Sequence, residues 1–265
     1  MASRHDVGLI GWGAIARTVI AGLGNDADVR IGGIVVRRER QEPIGIPAVV
    51  SIEELDERIT LVVEAAGGAA VAEHGVAVLR SGRDLAIAST ASLVDERLLH
   101  ELRTAARDNG RRLYAVSGAI GALDALGASR AAQLSYVRYI GRKPPRAWLG
   151  TPAADRVDLN RLTGPTPVFE GMARVAVKMF PQNANVAATI ALAGLGFDRT
   201  SVTLVADPTI ERNVHRVEAE STAGTIRFEV EARSIPSNPK TSAMAAYSIV
   251  NFLQTCSGAV RLDVY

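Results

Sequence analysis

The chain has 265 residues, 48% hydrophobic and 22% charged, with a formal net charge of +2; this is the makeup of an ordinary globular protein with one large or two modest cores, and it excludes disorder as the main state. A single cysteine, Cys256, excludes an internal disulfide and any cysteine-based zinc or iron–sulfur site, and points to a reducing cytoplasm. The 30 basic residues, all but three of them arginine, are spread along the chain, which argues against a nucleic-acid footprint.

Polar residues at Ser3 to Asp6 precede any long apolar stretch, and no run approaches the roughly 18 apolar residues of a membrane span, so neither targeting segment nor membrane anchor is expected. Val7 to Ile10 reads as a short buried strand. It runs into Gly11-Trp-Gly13-Ala-Ile-Ala16 and then apolar Ile15, Val19 and Leu23, spaced by fours as on a helix. Further strands are predicted at Ile31 to Val36, Leu61 to Ala65, Asp84 to Ala88 and Arg112 to Val116. Helices are predicted at Ala69 to Leu79 and Val94 to Asn109, the second with Ser92 as a candidate N-cap and Gly110 as its stop. Strands alternating with helices imply a parallel sheet covered on both faces, a Rossmann-type domain.

After Ser117 the pattern changes, and a domain boundary is placed there, giving domains over 1–117 and 118–265. A helix is expected to open within Gly118 to Leu126, and a strand at Ser135 to Ile140. Lys143-Pro-Pro145 begins a looped stretch reaching about Pro167. Phe169 to Met179 and Val186 to Leu195 read as helices. Ser201 to Ala206, Asn213 to Ser221 and Thr225 to Ala232 read as strands without long crossovers, hence a largely antiparallel sheet. A final helix is expected over Thr241 to Gln254. The fold class is therefore α/β with a C-terminal α+β domain.

The turn Gly11-x-Gly13-x-x-Ala16 carries a physical reading. The first glycine permits a tight turn, the second lets the backbone approach a pyrophosphate, and the small third residue lets helix pack on strand. The N–H groups of the helix start, at Ala14 and Ile15, would face the phosphates. A carboxylate closing the second strand would mark NAD by bonding the ribose. Here Val35-Val36 runs into Arg37-Arg38 instead. A guanidinium pair suits the 2′-phosphate of NADP, which is slightly favoured over NAD; a solvated basic turn with Glu39 as a ribose partner is the alternative. No metal is expected, since hydride transfer to nicotinamide needs none and no ligand cluster is spaced for one.

Alternation along the strand from Asn213 puts His215 on the inward face with Val217 and Ala219, and Arg216, Glu218 and Glu220 on the other. Taken alone, His215 is either a packed histidine or a proton carrier with a pKa near neutrality. Asn183 and Asn185 precede an apolar helical run, where one can cap the helix and the other contact a cofactor. Ser117-Gly118-Ala119 follows the fifth strand, at the carboxyl end of the sheet where such folds place ligands.

Four segments together resemble the L-aspartate dehydrogenase family: Ser117-Gly-Ala-Ile-Gly-Ala-Leu-Asp-Ala-Leu126, Phe180-Pro-Gln-Asn-Ala-Asn-Val-Ala-Ala188, Val205-Ala-Asp-Pro-Thr-Ile-Glu-Arg-Asn-Val-His215 and Asn238-Pro-Lys-Thr-Ser242. The resemblance runs from Val7 to about Leu253. It implies oxidation of L-aspartate at Cα by NAD(P)+, giving iminosuccinate and then oxaloacetate and ammonia. It also implies a second domain like that of dihydrodipicolinate reductases, a homodimer, His215 as the catalytic residue, and Ala119 and Asn185 as cofactor contacts. Arg37-Arg38 departs from the acid that many members carry there. Because aspartate brings two carboxylates, Lys240 with Thr241 at the expected helix start is a candidate substrate clamp. The rival expectations are a dehydrogenase or reductase of another small dicarboxylate or amino acid, and a dinucleotide-binding sensor without catalysis.

Overall fold

A computed structural model describes residues 5–26, 28–38 and 45–257. They fall into two compact units, Met1–Val116 with Ala245–Tyr265, and Ser117–Met244.

The first unit is built on six parallel strands: β1 (His5–Ile10), β2 (Val29–Val35), β3 (Ala48–Val49), β4 (Leu61–Glu64), β5 (Asp84–Ile87) and β6 (Leu113–Ala115). Their order in the sheet is β3-β2-β1-β4-β5-β6. The inner strands carry unbroken apolar runs because both faces are covered: Leu9, Val62, Val63, Leu85, Ala86 and Ile87 are all buried. Five of these strands stand where the apolar runs place them. The two-residue β3 was not foreseen, being too short to show a period.

Helices α1 (Ala14–Leu23), α2 (Gly68–Arg80) and α3 (Glu96–Asp108) follow β1, β4 and β5. The buried stripe of α1 is Ala16, Val19 and Leu23. Asp95 caps α3 by accepting from the N–H groups of Arg97 and Leu98. Ser92, expected as the cap, lies instead in a 3-10 turn over Thr90–Val94, its hydroxyl donating to the Ser89 carbonyl.

The second unit holds a five-stranded sheet of β7 (Tyr136–Lys143), β8 (Thr166–Met172), β9 (Ser201–Ala206), β10 (Asn213–Ser221) and β11 (Gly224–Ala232), in the order β11-β10-β7-β9-β8. Three of its pairings are antiparallel and one, β7 with β9, is parallel. So β9 and β10 are not neighbours, although they follow one another in the chain; β7 lies between them. Helices α4 (Leu123–Ala131), α5 (Ala173–Met179) and α6 (Asn185–Ala193) complete the layer, with a small hairpin of β12 (Ser234–Ile235) and β13 (Asn238–Ser242).

Two expected helices start later than the sequence indicates. Phe169 to Met172 belong to β8, an edge strand that tolerates Pro167 near its start, and the helix begins at Ala173. Lys240, Thr241 and Ser242 lie on β13 rather than at a helix start, and α7 (Ala243–Ser257) begins after them.

The last helix departs from chain order. From Ala245 on it groups with the first unit, not with the second domain expected over 118–265. The Phe252 ring meets Tyr114 edge-on at 5.1 Å, the Gln254 amide donates to Asp26 at 2.9 Å, and a Cβ built on Gly22 would lie 3.0 Å from Val250. An apolar stripe reveals that a helix is amphipathic, but not which core receives it. Among the described residues no helix is long and apolar enough to cross a membrane.

Candidate active site

In the first unit the functional geometry begins at the β1–α1 turn. Gly11 adopts φ +99°, its N–H donates to the Val35 carbonyl at 2.8 Å, and a Cβ there would lie 2.7 Å from that of Ala66. Only glycine meets both conditions without strain. Gly13 is the N-cap of α1 at an ordinary φ of −86°, and a Cβ there would meet nothing within 4 Å. No side chain caps this helix, and no acid stands in its first turn. An uncapped helix start with open space beside its glycine suits an anion, so Gly11, Gly13, Ala14 and Ile15 fit a dinucleotide pyrophosphate.

Arg37 and Arg38 are exposed and follow the end of β2, the neighbour of β1. They stand at the carboxyl-terminal end of the parallel strands, as the glycine turn does. Glu39, the alternative ribose partner, lies outside the described residues.

A residue at this end of the strands that sequence reasoning missed is Glu64, which ends β4 between Ile10 and Ile87 and is fully buried. Its carboxylate accepts from the N–H groups of Ala66 at 2.7 Å, Gly67 at 2.6 Å and Ser89 at 3.0 Å, and from the Ser89 hydroxyl at 3.0 Å. Burial pushes its pKa up while these donors pull against it. One side chain thus fixes the loops after β4 and β5, both at the carboxyl-terminal end of the strands. The signal available in sequence was a lone acid closing an apolar strand run.

In the second unit His215 lies on β10 opposite Gly141 of β7. It is 3% exposed, as the alternation of the strand required. Its Nδ1 is 2.7 Å from the Tyr139 hydroxyl, and the two rings stack with centroids 6.0 Å apart. Gly141 makes this arrangement possible, since a Cβ there would sit 2.5 Å from the Tyr139 oxygen.

Burial pushes the Tyr139 pKa up, so the hydroxyl keeps its proton. Burial first, and the charge of Lys143 second, push the His215 imidazole down to about 3. The near-neutral value expected from the sequence is therefore corrected: the ring is neutral at working pH. With Tyr139 donating to Nδ1, the ring proton sits on Nε2; with Nδ1–H donating to the tyrosine oxygen, Nε2 presents a lone pair. Among the described residues Nε2 has no hydrogen-bond partner, and it is not among the enclosed unsatisfied atoms, so it opens onto accessible space.

Lys143, the last residue of β7, was read from the sequence only as the start of a loop. It is 6% exposed, and burial pushes its ammonium down to about 8. It donates to the Asn183 backbone carbonyl at 3.2 Å and side-chain oxygen at 3.3 Å, and lies 5.7 Å from the Trp148 ring centroid. The structure thus joins His215, Tyr139, Lys143 and Asn183 on one sheet face.

The remaining expected residues lie as follows. Ala119 is buried just after Gly118, which turns the chain at φ +70°. Asn185 is the first residue of α6 and Ala184 its N-cap, so neither Asn183 nor Asn185 caps the helix. Thr241 belongs to the β12–β13 hairpin, a different sheet from that of His215. The Lys240 side chain lies outside the described residues. Among the described residues no cluster of three or more metal-ligating side chains occurs.

Comparison with known proteins matches both units. Residues 124–256 match the family model described as aspartate dehydrogenase, C-terminal, and residues 11–115 that described as homoserine dehydrogenase, NAD binding domain. The chain is 40% identical to an L-aspartate dehydrogenase of Pseudomonas aeruginosa, over 96% of this chain and 98% of that one. It is 42% identical to one from Cupriavidus necator, over 97% and 99%. Among solved structures it resembles an aspartate dehydrogenase from Thermotoga maritima, with a TM-score of 0.79, 30% identity and coverage of 97% and 99%. A dihydrodipicolinate reductase from Paenisporosarcina, at 12% identity and a TM-score of 0.54 over 95% of each chain, shares the fold.

Proposed function

The chain belongs to the L-aspartate dehydrogenase family, and from that membership we infer that it oxidises L-aspartate at Cα with a nicotinamide cofactor, releasing oxaloacetate and ammonia, and runs the reverse amination. The observation that carries this reading to particular residues is the buried neutral imidazole of His215, with Tyr139 on Nδ1 and Nε2 open.

Oxidation at Cα needs a nitrogen lone pair, so the substrate ammonium must first give up a proton. In the tautomer with Nδ1–H donating to the Tyr139 oxygen, Nε2 of His215 takes it, the negative charge of the bound dicarboxylate raising the basicity of a ring that burial alone holds near 3. When bound, the cofactor supplies the acceptor for the hydride leaving Cα. The ring gives this proton up to solvent before the resulting iminosuccinate is hydrolysed; the neutral imidazole then takes a proton from the attacking water and returns it to the departing nitrogen. On this reading Gly11, Gly13, Ala14 and Ile15 hold the pyrophosphate, Ala119 and Asn185 the nicotinamide end, and Lys240 with Thr241 is a further candidate for a substrate carboxylate. The absorbance of the reduced cofactor tests the function directly: it is expected to grow with L-aspartate and to decay with oxaloacetate plus ammonia. A protein that binds the cofactor and turns over neither would overturn the reading.

We propose further that Arg37 and Arg38 favour NADP over NAD, which their exposed position after β2 supports. Replacing both by alanine is expected to lower kcat/KM for NADP by about tenfold or more and leave that for NAD nearly unchanged, each tenfold being about 1.4 kcal/mol. A preference for NAD in the parent protein that survives the double substitution would refute it.

A further inference from the structure

We propose that the ammonium of Lys143 is the binding partner of a substrate carboxylate: it is enclosed beside His215, anchored at two of its three donors, and paired with no acid among the described residues. The proposal rests on the reading of the chain as an oxidiser of aspartate, and names the group that recognises the anionic substrate.

The argument starts from what burial demands. A lysine this enclosed is ordinarily matched by a carboxylate, because an uncompensated charge away from water is unfavourable. Among the described residues no carboxylate lies within ion-pair distance of Lys143; its hydrogen bonds go only to the two oxygens of Asn183, both neutral. The Trp148 face adds a weak attraction at 5.7 Å, but no neutralising charge. The third N–H has no protein acceptor among the described residues.

The anchoring is specific. Trp148 donates its indole N–H to the Lys143 carbonyl at 3.3 Å, and Asn183 follows the Phe180 end of α5, whose ring packs edge-on against Trp148 at 5.8 Å. The side chain is therefore held stretched toward the Asn183 loop instead of snorkelling to solvent. Lys143 shares the β7 face of Tyr139 and Gly141, and Gly141 pairs with His215. The ammonium and the imidazole thus belong to one patch, at a separation of two strand positions. A molecule with an ammonium to be deprotonated at Nε2 and a carboxylate a few bonds away matches that spacing. L-Aspartate has both of its carboxylates within that reach, and a carboxylate beside Lys143 would supply the counter-charge that the described residues do not.

A structural lysine would behave differently from a substrate-binding one, and the contrast gives the test. Lys143→Met keeps the length and apolar stem but removes the charge. The ligand-free variant is expected to melt at the same temperature as the parent or higher, since a buried unpaired charge is gone. Its KM for L-aspartate, and the inhibition constant of succinate as a substrate-free dicarboxylate probe, are expected to rise together by about 30-fold or more. The dissociation constant of the reduced cofactor, followed by its fluorescence, should not move. Lys143→Gln, which can still bond Asn183 without a charge, is expected to share the defect. Rescue by Lys143→Gln, an unaltered succinate constant in Lys143→Met, or a fall in melting temperature with cofactor and dicarboxylate binding lost in proportion would each overturn the proposal. Calorimetric titration of the parent and Lys143→Met with succinate separates this proposal from the assigned activity. A parent protein that oxidises no aspartate, yet binds succinate through Lys143, refutes the function and retains the subsite; a parent that oxidises aspartate and binds succinate equally with and without Lys143 does the reverse.

Discussion

Replacing His215 by asparagine is expected to lower kcat for L-aspartate by about 10² to 10⁴-fold, the range that a positioned general acid–base contributes, and to leave the dissociation constant for the reduced cofactor where it was. The separation is expected because His215 lies on β10 of the second unit, whereas the glycine turn and Arg37-Arg38 belong to the first. Turnover within a few-fold of the parent would show the imidazole to be a packing residue and return the proton-transfer role to another group.

The same side chain sets an acid limb of stability. Its folded pKa, about 3, lies below the ordinary 6.5, so between those values the unfolded chain binds a proton that the folded chain refuses. Stability contributed by the neutral ring is whole above about 6.5 and is lost as pH falls toward 3, on the order of 5 kcal/mol across the window. Lys143 acts in the alkaline range: with a folded pKa of about 8 against 10.5, it makes stability rise as pH goes from 8 to 10.5. Denaturant midpoints measured against pH should show both limbs in the parent, and the acid limb flattened in His215→Asn.

The second large effect separates two glycines of one turn. Gly11→Ala forces a Cβ to 2.7 Å from that of Ala66 at φ +99°, a close contact and a left-handed backbone together, and is expected to lower stability by about 1–3 kcal/mol or more. Gly13→Ala meets nothing within 4 Å at an ordinary φ, so its melting temperature should hardly change. Its methyl group instead occupies the space through which a pyrophosphate approaches the start of α1, and the dissociation constant of the cofactor should rise roughly tenfold or more, equivalent to about 1.4 kcal/mol. A Gly13→Ala protein that binds NAD(P)H like the parent would remove the glycine turn from the cofactor site.

The alternating architecture of the first unit was legible because each of its inner strands is buried on both faces and so reads as an apolar run between turn residues. His215 was legible for the opposite reason: β10 has one wet face, marked by Arg216, Glu218 and Glu220, and the alternation leaves the histidine inside. Lys143 was not. It stands beside Pro144 and Pro145, which read as a loop, and only the pairing of β7 with β10 places it near the imidazole. Glu64 was hidden likewise, since its partners Ala66, Gly67 and Ser89 are backbone N–H groups with one hydroxyl, and these leave no pattern in side-chain identity. The depressed pKa of His215 has the same origin, because it depends on enclosure and on a neighbour distant in sequence.

The helix that begins at Ala243 completes a body whose sheet ends at Ala115, so the first unit is assembled from two separate segments of the chain and the second is an uninterrupted insert between them. On a ribosome, the insert is fully synthesised before the Tyr114 and Gly22 surfaces acquire their cover from Phe252 and Val250. Completion of the first unit therefore waits until residues 250 to 252 have been translated, and a chain stopped short of residue 245 would leave those surfaces uncovered.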